Sequence, residues 1–165
     1  MKMTEQLETA FINQINLEIE SSLLYRQLGI EMELMDLPGI SAWFISHAAE
    51  ERGHADKLIA HLTDRDNHPV LGEIKVPEVK VTSITEAFDI ALEAERGVSE
   101  SIRNLYRLAE EVGDLDSRPL IDWFLTEQIE EEETVSQILG RARLVGQDGS
   151  GILRIDDELG GSAGA

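Results

Sequence analysis

The sequence predicts an all-α fold: an antiparallel four-helix bundle with one long crossover between helices two and three, and a short C-terminal fifth helix. Aromatic residues make up only 5% of the chain, whereas Leu, Ile, Ala, Glu and Arg are frequent, a composition that favours packed helices over sheets. Apolar residues recur at three- and four-residue spacing over four long stretches, as in helices that bury one face. A chain of 165 residues suffices for one core, so we expect a single domain over residues 1–165.

The first helix is predicted from about Thr4 to Leu34. Its inward face carries Leu7, Phe11, Ile15, Tyr25 and Met32. The segment Asp36-Leu37-Pro38-Gly39 then breaks the pattern. A second helix is predicted from about Gly39 to Arg65, with a proline suited to its start. Because the link between the two is short, they should pack antiparallel.

Residues 66–82 predict a long connection, because two prolines and a glycine lie there among single valines. Ser83-Ile84-Thr85-Glu86 offers a capping box for a third helix that ends near Glu111. The fourth helix is predicted from about Asp116 to Leu144, with Pro119 tolerated in its first turn. Glycine-rich segments then flank a short fifth helix over about 152–159, and the tail 160–165 should be disordered.

The long connection determines how the second and third helices are related. About 17 extended residues span ~55 Å, which exceeds the ~40 Å length of a helix of about 27 residues. The two helices can therefore lie parallel, so that an up-down pair, a crossover and a second up-down pair complete the bundle.

Charge and composition exclude several classes of function. Acidic residues number 33 against 14 basic ones, a net charge of −19, which disfavours nucleic acid and anionic membranes and favours cations as partners. The chain contains no cysteine, so disulfides, thiolate metal sites and cysteine nucleophiles are excluded. Neither a signal peptide nor a membrane-spanning run is evident, and we expect a soluble, cytoplasmic protein.

Each long helix carries one glutamate near its middle, on the face that is otherwise apolar. These residues are Glu18, Glu51, Glu95 and Glu131. Helices that pack side by side bring their midpoints to one level, so the four carboxylates should converge in the core. His54 joins them from one turn beyond Glu51, and Gln128 lies on the same face of the fourth helix.

Four carboxylates in one core require a compensating positive charge, because desolvation costs several kcal/mol for each ion and like charges repel. Oxygen donors with one imidazole predict a hard metal cluster, and two ions match the charge better than one. A single Glu-x-x-His pair such as Glu51 and His54 is only weak support for a metal site. Most of the other glutamates are expected to solvate the surface. A zinc protease is excluded, because His47-Ala48-Ala49-Glu50-Glu51 lacks paired histidines.

Three segments resemble prokaryotic non-haem ferritins, of the ferritin-like di-iron carboxylate family. They are Asn16-Leu17-Glu18 with Ser21-Ser22-Leu23-Leu24-Tyr25, Glu50-Glu51-Arg52-Gly53-His54-Ala55, and Trp123-Phe124-Leu125-Thr126-Glu127-Gln128-Ile129-Glu130-Glu131. The resemblance covers nearly the whole chain. It implies an iron-storage protein with a ferroxidase centre, which oxidises Fe(II) with O2 or peroxide and stores Fe(III) mineral in a hollow shell of 24 chains.

The resemblance also implies a role for each site residue. Glu18, Glu51 and His54 would bind the first iron, and Glu51 would bridge to a second iron held by Glu95 and Glu131. Gln128 would line the pocket. A third iron would be bound by Glu131 together with Glu50, Glu127 and Glu130; the alternative for these last three is a solvated charged face. Tyr25 would supply an electron, or be a core tyrosine hydrogen-bonded to a carboxylate.

The sequence departs from bacterioferritins at two places. Where that family has a second Glu-x-x-His, this chain has Gln128 and Glu131, so the site is not symmetric. Arg52 stands where bacterioferritins have a haem-binding methionine, so we expect no haem. Rubrerythrin-like peroxidases do not fit, because they would need a second Glu-x-x-His and usually a cysteine-bound iron domain, and di-iron oxygenases and desaturases do not fit because they are generally longer. His47 is expected to pack or to orient a ligand. The remaining alternative is an acidic helical protein that binds cations or a partner without redox chemistry.

Overall fold

The computed structural model describes residues 1–76 and 78–162. It contains five helices: α1 (Glu5–Leu34), α2 (Pro38–Asp64), α3 (Ile84–Glu111), α4 (Arg118–Val145) and α5 (Gly149–Ser162). No strand occurs in the described part of the chain. The predicted all-α bundle is confirmed, and the first four helices begin and end within two residues of their predicted limits.

Local sequence accounts for several helix ends. The Thr4 hydroxyl accepts from the N–H of Leu7 at 3.3 Å and caps α1. The Ser83 hydroxyl does the same for α3, where it accepts from the N–H of Glu86 at 3.2 Å. The Glu86 carboxylate does not reach back to Ser83, as a capping box requires, but accepts from the N–H of Thr82 at 2.7 Å.

Two apolar clusters fill the bundle, and a polar layer separates them. One cluster forms around Tyr25, Phe44 and Phe88. The other forms around Phe11, Leu58 and Phe124. Along the chain α1 and α4 run from the second cluster to the first, whereas α2 and α3 run from the first to the second. Helices α2 and α3 are therefore parallel, and the predicted crossover is confirmed.

Helix α5 is longer than predicted. It begins at Gly149 instead of near residue 152, because the Asp148 carboxylate accepts from the N–H of Gly151 at 2.8 Å. It also continues through Gly160 to Ser162, where the sequence predicted a disordered tail. The prediction of disorder was wrong for 160–162, and residues 163–165 lie outside the described residues.

Packing against α2 explains why glycines belong to α5. A Cβ added at Gly39 would lie 1.9 Å from the carbonyl oxygen of Asp156, and one added at Gly160 would lie 3.0 Å from the Cα of Gly39. The Asp156 carboxylate accepts from the N–H of Ile40 at 2.7 Å, so α5 caps an end of α2 that has no side-chain cap of its own. The glycines thus allow the two helices to touch, which outweighs their low helix propensity.

Among the described helices, none combines the length and hydropathy that crossing a membrane requires.

Candidate metal centre

The polar layer gathers one or two side chains from each long helix. It contains Glu18 of α1, Glu51 and His54 of α2, Glu95 of α3, and Gln128 and Glu131 of α4, all of them buried. Each lies where the helical repeat turns it towards the core, between residues of the two apolar clusters. The convergence that the sequence predicted is therefore what the structure shows.

Three buried atoms of this layer lack hydrogen-bond partners. They are Oε2 of Glu18, Oε2 of Glu51 and Nδ1 of His54, and none of them forms a hydrogen bond with a described residue. The side chains of these three residues each offer one ligand atom, and those atoms lie within 4.8 Å of one another. Leaving a buried polar atom unpaired costs about 1–3 kcal/mol, and a cation held among the three would remove this cost.

His54 connects this group to a second one. Its Nδ1 lies 3.4 Å from Glu51 Oε2, while its Nε2 lies 3.9 Å from Glu127 Oε1. His54, Glu127 and Glu131 form a further set of potential ligands within 4.8 Å of one another. The two sets share His54, so the polar layer offers neighbouring cation positions.

Glu50 and Glu130 lie at the edge of the layer, and both are exposed. Glu50 is 3.6 Å from Nε2 of His47. The charges of Glu50, Glu127 and Glu130 all act on Glu131. The structure thus brings Glu127 to His54 and leaves Glu50 and Glu130 as an acidic fringe beside them. Whether the fringe binds metal stays a prediction.

Glu95 is held from two sides. The Tyr25 hydroxyl donates to its Oε1, and Nε2 of Gln128 donates to its Oε2 at 3.1 Å. Tyr25 is fully buried. The structure thus shows Tyr25 as a core tyrosine bound to a carboxylate, and its role as an electron donor stays a prediction.

Burial makes all four carboxylates difficult to ionise. It raises the pKa of Glu51 to about 8, with the charge of Glu95 adding to the effect, and that of Glu131 to about 8, again with Glu95 adding. Burial and the charge of Glu51 raise the pKa of Glu18 well above its ordinary value. Burial also raises the pKa of Glu95, against the bonds from Tyr25 and Gln128. A bound cation would replace the protons that these groups hold.

His47 packs at the side of the layer, as the sequence predicted. Its ring stacks on Trp43 with centroids 3.7 Å apart, and its Nδ1 lies 3.0 Å from the carbonyl oxygen of Trp43. Burial lowers its pKa and so favours the neutral ring. Its Nε2 lies 4.0 Å from Glu131 Oε2.

The sequence and fold of the chain are similar to those of known proteins. A family model for the ferritin-like domain matches residues 9–145. The chain belongs to the ferritin family. A bacterial non-haem ferritin of Escherichia coli is 32% identical over 146 residues, 88% of each chain. One of Staphylococcus epidermidis is 31% identical over 157 residues, 95% of each chain. An open-pore ferritin of Archaeoglobus fulgidus superposes with a TM-score of 0.94 at 30% identity, covering 96% of this chain and 98% of the other.

The polar layer of this ferritin also contains residues that the sequence analysis missed. The amide of Gln14 donates to Glu18 Oε1 at 2.7 Å. The Ser101 hydroxyl donates to Oε1 of Gln14, and that of Ser99 donates to Glu132 at 2.5 Å. Gln14 lies on the inward face of α1, four residues before Glu18, so its helical spacing could have identified it. Ser101 is placed by the contact between α1 and α3, for which spacing within one helix gives no indication.

Proposed function

We propose that this ferritin stores and detoxifies iron, oxidising Fe(II) as its substrate at the polar layer and retaining Fe(III) as a mineral. The observation that carries the proposal is the cluster of unpaired buried atoms on Glu18, Glu51 and His54. Carboxylate oxygens and one imidazole suit a hard divalent or trivalent cation. The relatives named as non-haem ferritins support iron as that cation.

We assign two Fe(II) to the layer for each chain. Glu18, Glu51 and His54 bind one, and Glu51 extends to a second that Glu95 and Glu131 bind. The hydrogen bonds from Tyr25 and Gln128 hold Glu95 in place for this role. Glu50, Glu127 and Glu130, with Glu131, offer a third position at the solvent edge. Iron that enters displaces the protons that burial keeps on Glu51 and Glu131.

The carboxylates also set the direction of the redox step. Negative ligands stabilise Fe(III) more than Fe(II), so the site favours oxidation. Two Fe(II) supply two electrons, which with two protons reduce O2 to hydrogen peroxide, or peroxide to two waters. Reduction of O2 to two waters needs four electrons and four protons, and for that reaction we assign three electrons to three Fe(II) and the fourth to Tyr25. The hydrogen bond from the Tyr25 hydroxyl to Glu95 supports this assignment.

Storage of a mineral requires a cavity, and one bundle does not enclose a space of that size. We therefore propose a hollow shell of 24 copies, with α5 near its fourfold axes. The net charge of −19 would draw Fe(II) towards such a shell. Electron microscopy of the purified protein tests this assembly, because a monomer or an open oligomer would contradict it.

The ferroxidase proposal is tested by adding two Fe(II) per chain anaerobically to metal-free protein, followed by O2. The near-ultraviolet absorbance of oxo-bridged Fe(III) is recorded for wild type, Glu51→Ala and Glu33→Ala. We expect Glu51→Ala to slow oxidation about a hundredfold, since it removes the shared ligand. Glu33 is exposed on α1, and its variant should match wild type. If wild type oxidises iron no faster than buffer, the ferroxidase proposal fails, and the alternative of an acidic helical protein that binds cations or a partner without redox chemistry replaces it.

A further inference from the structure

The buried side-chain amide of Gln14, which is not among the proposed metal ligands, contacts the ligand Glu18. Gln14 is only 1% exposed, and its Nε2 donates to Glu18 Oε1 at 2.7 Å. Burial removes the competing water that would weaken this bond. One oxygen of the Glu18 carboxylate is therefore occupied by the protein itself.

A residue of another helix fixes which end of the amide meets Glu18. The Ser101 hydroxyl, on α3, donates to Oε1 of Gln14. With the amide oxygen engaged by this donor, the amide nitrogen faces Glu18, whose carboxylate can only accept when it is ionised to bind a metal. Reversing the amide would set its oxygen against Glu18 Oε1 and lose that bond, while the Ser101 hydroxyl would have to accept from the amide nitrogen instead of donating. The hydrogen bonds from Ser101 to Gln14 and from Gln14 to Glu18 therefore run in one direction, towards the carboxylate.

The second oxygen of Glu18 is left for the metal. Its Oε2 has no hydrogen-bond partner among the residues that the structure describes, and Glu18 offers a ligand atom within 4.8 Å of those of Glu51 and His54. A carboxylate that could rotate freely would exchange its two oxygens and lose part of its preorganisation.

We propose that Gln14, oriented by Ser101, is a positioning residue that fixes Glu18 so that one defined oxygen faces the metal. The inference rests on the proposed function, since it needs a cation in the polar layer. It adds that the first iron position is built by three helices: α1 and α2 supply its ligands, and α3 sets the orientation of one of them.

The same helix provides a matched control. Gln27 donates to Glu31 at 2.8 Å, the same residue pair at the same spacing on α1. This pair is half-buried and lies outside the polar layer. Gln14→Leu and Gln27→Leu therefore each remove a glutamine amide that donates to one glutamate, but only Gln14→Leu affects a proposed metal ligand.

The experiment is an anaerobic titration of metal-free protein with Co(II), which reports binding and ligand geometry through its visible absorption without being oxidised by the site. Gln14→Leu should weaken the tightest Co(II) step about tenfold and alter the shape of its visible band. Ser101→Ala should weaken the step about threefold, because the amide keeps its donor but loses its orientation. Gln27→Leu should match wild type in affinity and in spectrum.

The outcomes separate the two hypotheses. If wild type and Glu51→Ala bind Co(II) alike, the metal site itself fails. If Glu51→Ala loses binding but Gln14→Leu matches Gln27→Leu, the positioning role alone is overturned. If circular dichroism shows that Gln14→Leu does not fold, Ser101→Ala decides. An altered Co(II) band in Ser101→Ala supports the positioning role of Gln14, and an unchanged band and affinity overturn it.

Discussion

Two groups of buried and half-buried polar residues in this ferritin differ in whether their atoms have hydrogen-bond partners. The polar layer of Glu18, Glu51, His54, Glu95 and Glu131 contains unpaired atoms. At the end of the bundle lies a second group, which we call the terminal network, formed by Arg65, His61, Asp114 and Ser117. There the Arg65 guanidinium donates to Asp114 at 3.0 and 2.7 Å, to Ser117 at 2.7 Å and to the carbonyl oxygen of Met1 at 2.9 Å.

The electrostatics of the two groups are opposite. Burial would raise the pKa of Asp114, but the hydrogen bonds from Arg65 and Ser117 outweigh it and hold the pKa below its ordinary value. In the polar layer burial prevails, and the pKa of Glu51 rises to about 8. A carboxylate that is shielded from solvent is therefore structural where the chain supplies its cation. It indicates a ligand site where the cation must come from outside.

The largest effect on stability is expected at the terminal network. Arg65→Met should leave Asp114 without its cation and lower the free energy of unfolding by about 3 kcal/mol. Urea denaturation measures this loss. Co(II) binding at the polar layer should stay at the wild-type level, because the two groups share no residue. The control is Arg107→Met, which removes an arginine that is 63% exposed and should change stability by less than about 0.5 kcal/mol.

Metal should stabilise the polar layer and leave the terminal network unaffected. A non-oxidisable divalent ion at about a hundred times its Kd should add about 2.7 kcal/mol to the free energy of unfolding. Arg65→Met should gain as much as wild type, whereas Glu51→Gln should gain nothing. Thermal scans with Zn(II), and again after a chelator, measure the effect. An equal gain in Glu51→Gln would locate the bound ion elsewhere.

The pH dependence of the metal-free protein follows from the raised pKa values. Above pH 4.5 the unfolded chain releases the protons of Glu51 and Glu131, while the folded protein keeps them until about pH 8. Between these values the folded state binds more protons, so a rise in pH favours unfolding by at most about 1.4 kcal/mol per pH unit for each group. This stabilisation is complete below pH 4.5 and is lost as the pH rises through 8.

Thermal unfolding of metal-free protein between pH 5 and pH 8 tests this dependence. The Tm should fall as the pH rises, and Glu51→Gln should reduce the slope, because its neutral amide does not titrate. Saturating Zn(II) should also reduce the slope, since the metal keeps the carboxylates deprotonated in the folded state. A Tm that rises over this range in metal-free wild type would contradict the raised pKa values.

The sequence was sufficient for the features that repeat along one helix. Apolar spacing gave α1 to α4, and the interruption of each apolar face gave Glu18, Glu51, Glu95 and Glu131. It was not sufficient where a contact joins distant segments. The pairing of Arg65 with Asp114 spans 49 residues, and that of Ser101 with Gln14 spans 87. Both depend on how far one helix is shifted along another, which helical periodicity does not specify.

Asp156 is a third kind of buried carboxylate, whose hydrogen bond comes from a backbone N–H. It accepts from the N–H of Ile40 at the start of α2, where the helix dipole favours a negative charge. Asp156→Ala should lower the free energy of unfolding by about 1 kcal/mol, the usual cost of losing a helix cap. Asp157→Ala changes the exposed neighbour and should have no measurable effect. Because Asp156 joins α5 to α2, its loss should also speed proteolysis within α5, which mass spectrometry of the fragments measures. Equal cleavage of Asp156→Ala and Asp157→Ala would show that the contact between Gly39 and Gly160 holds α5 without the cap.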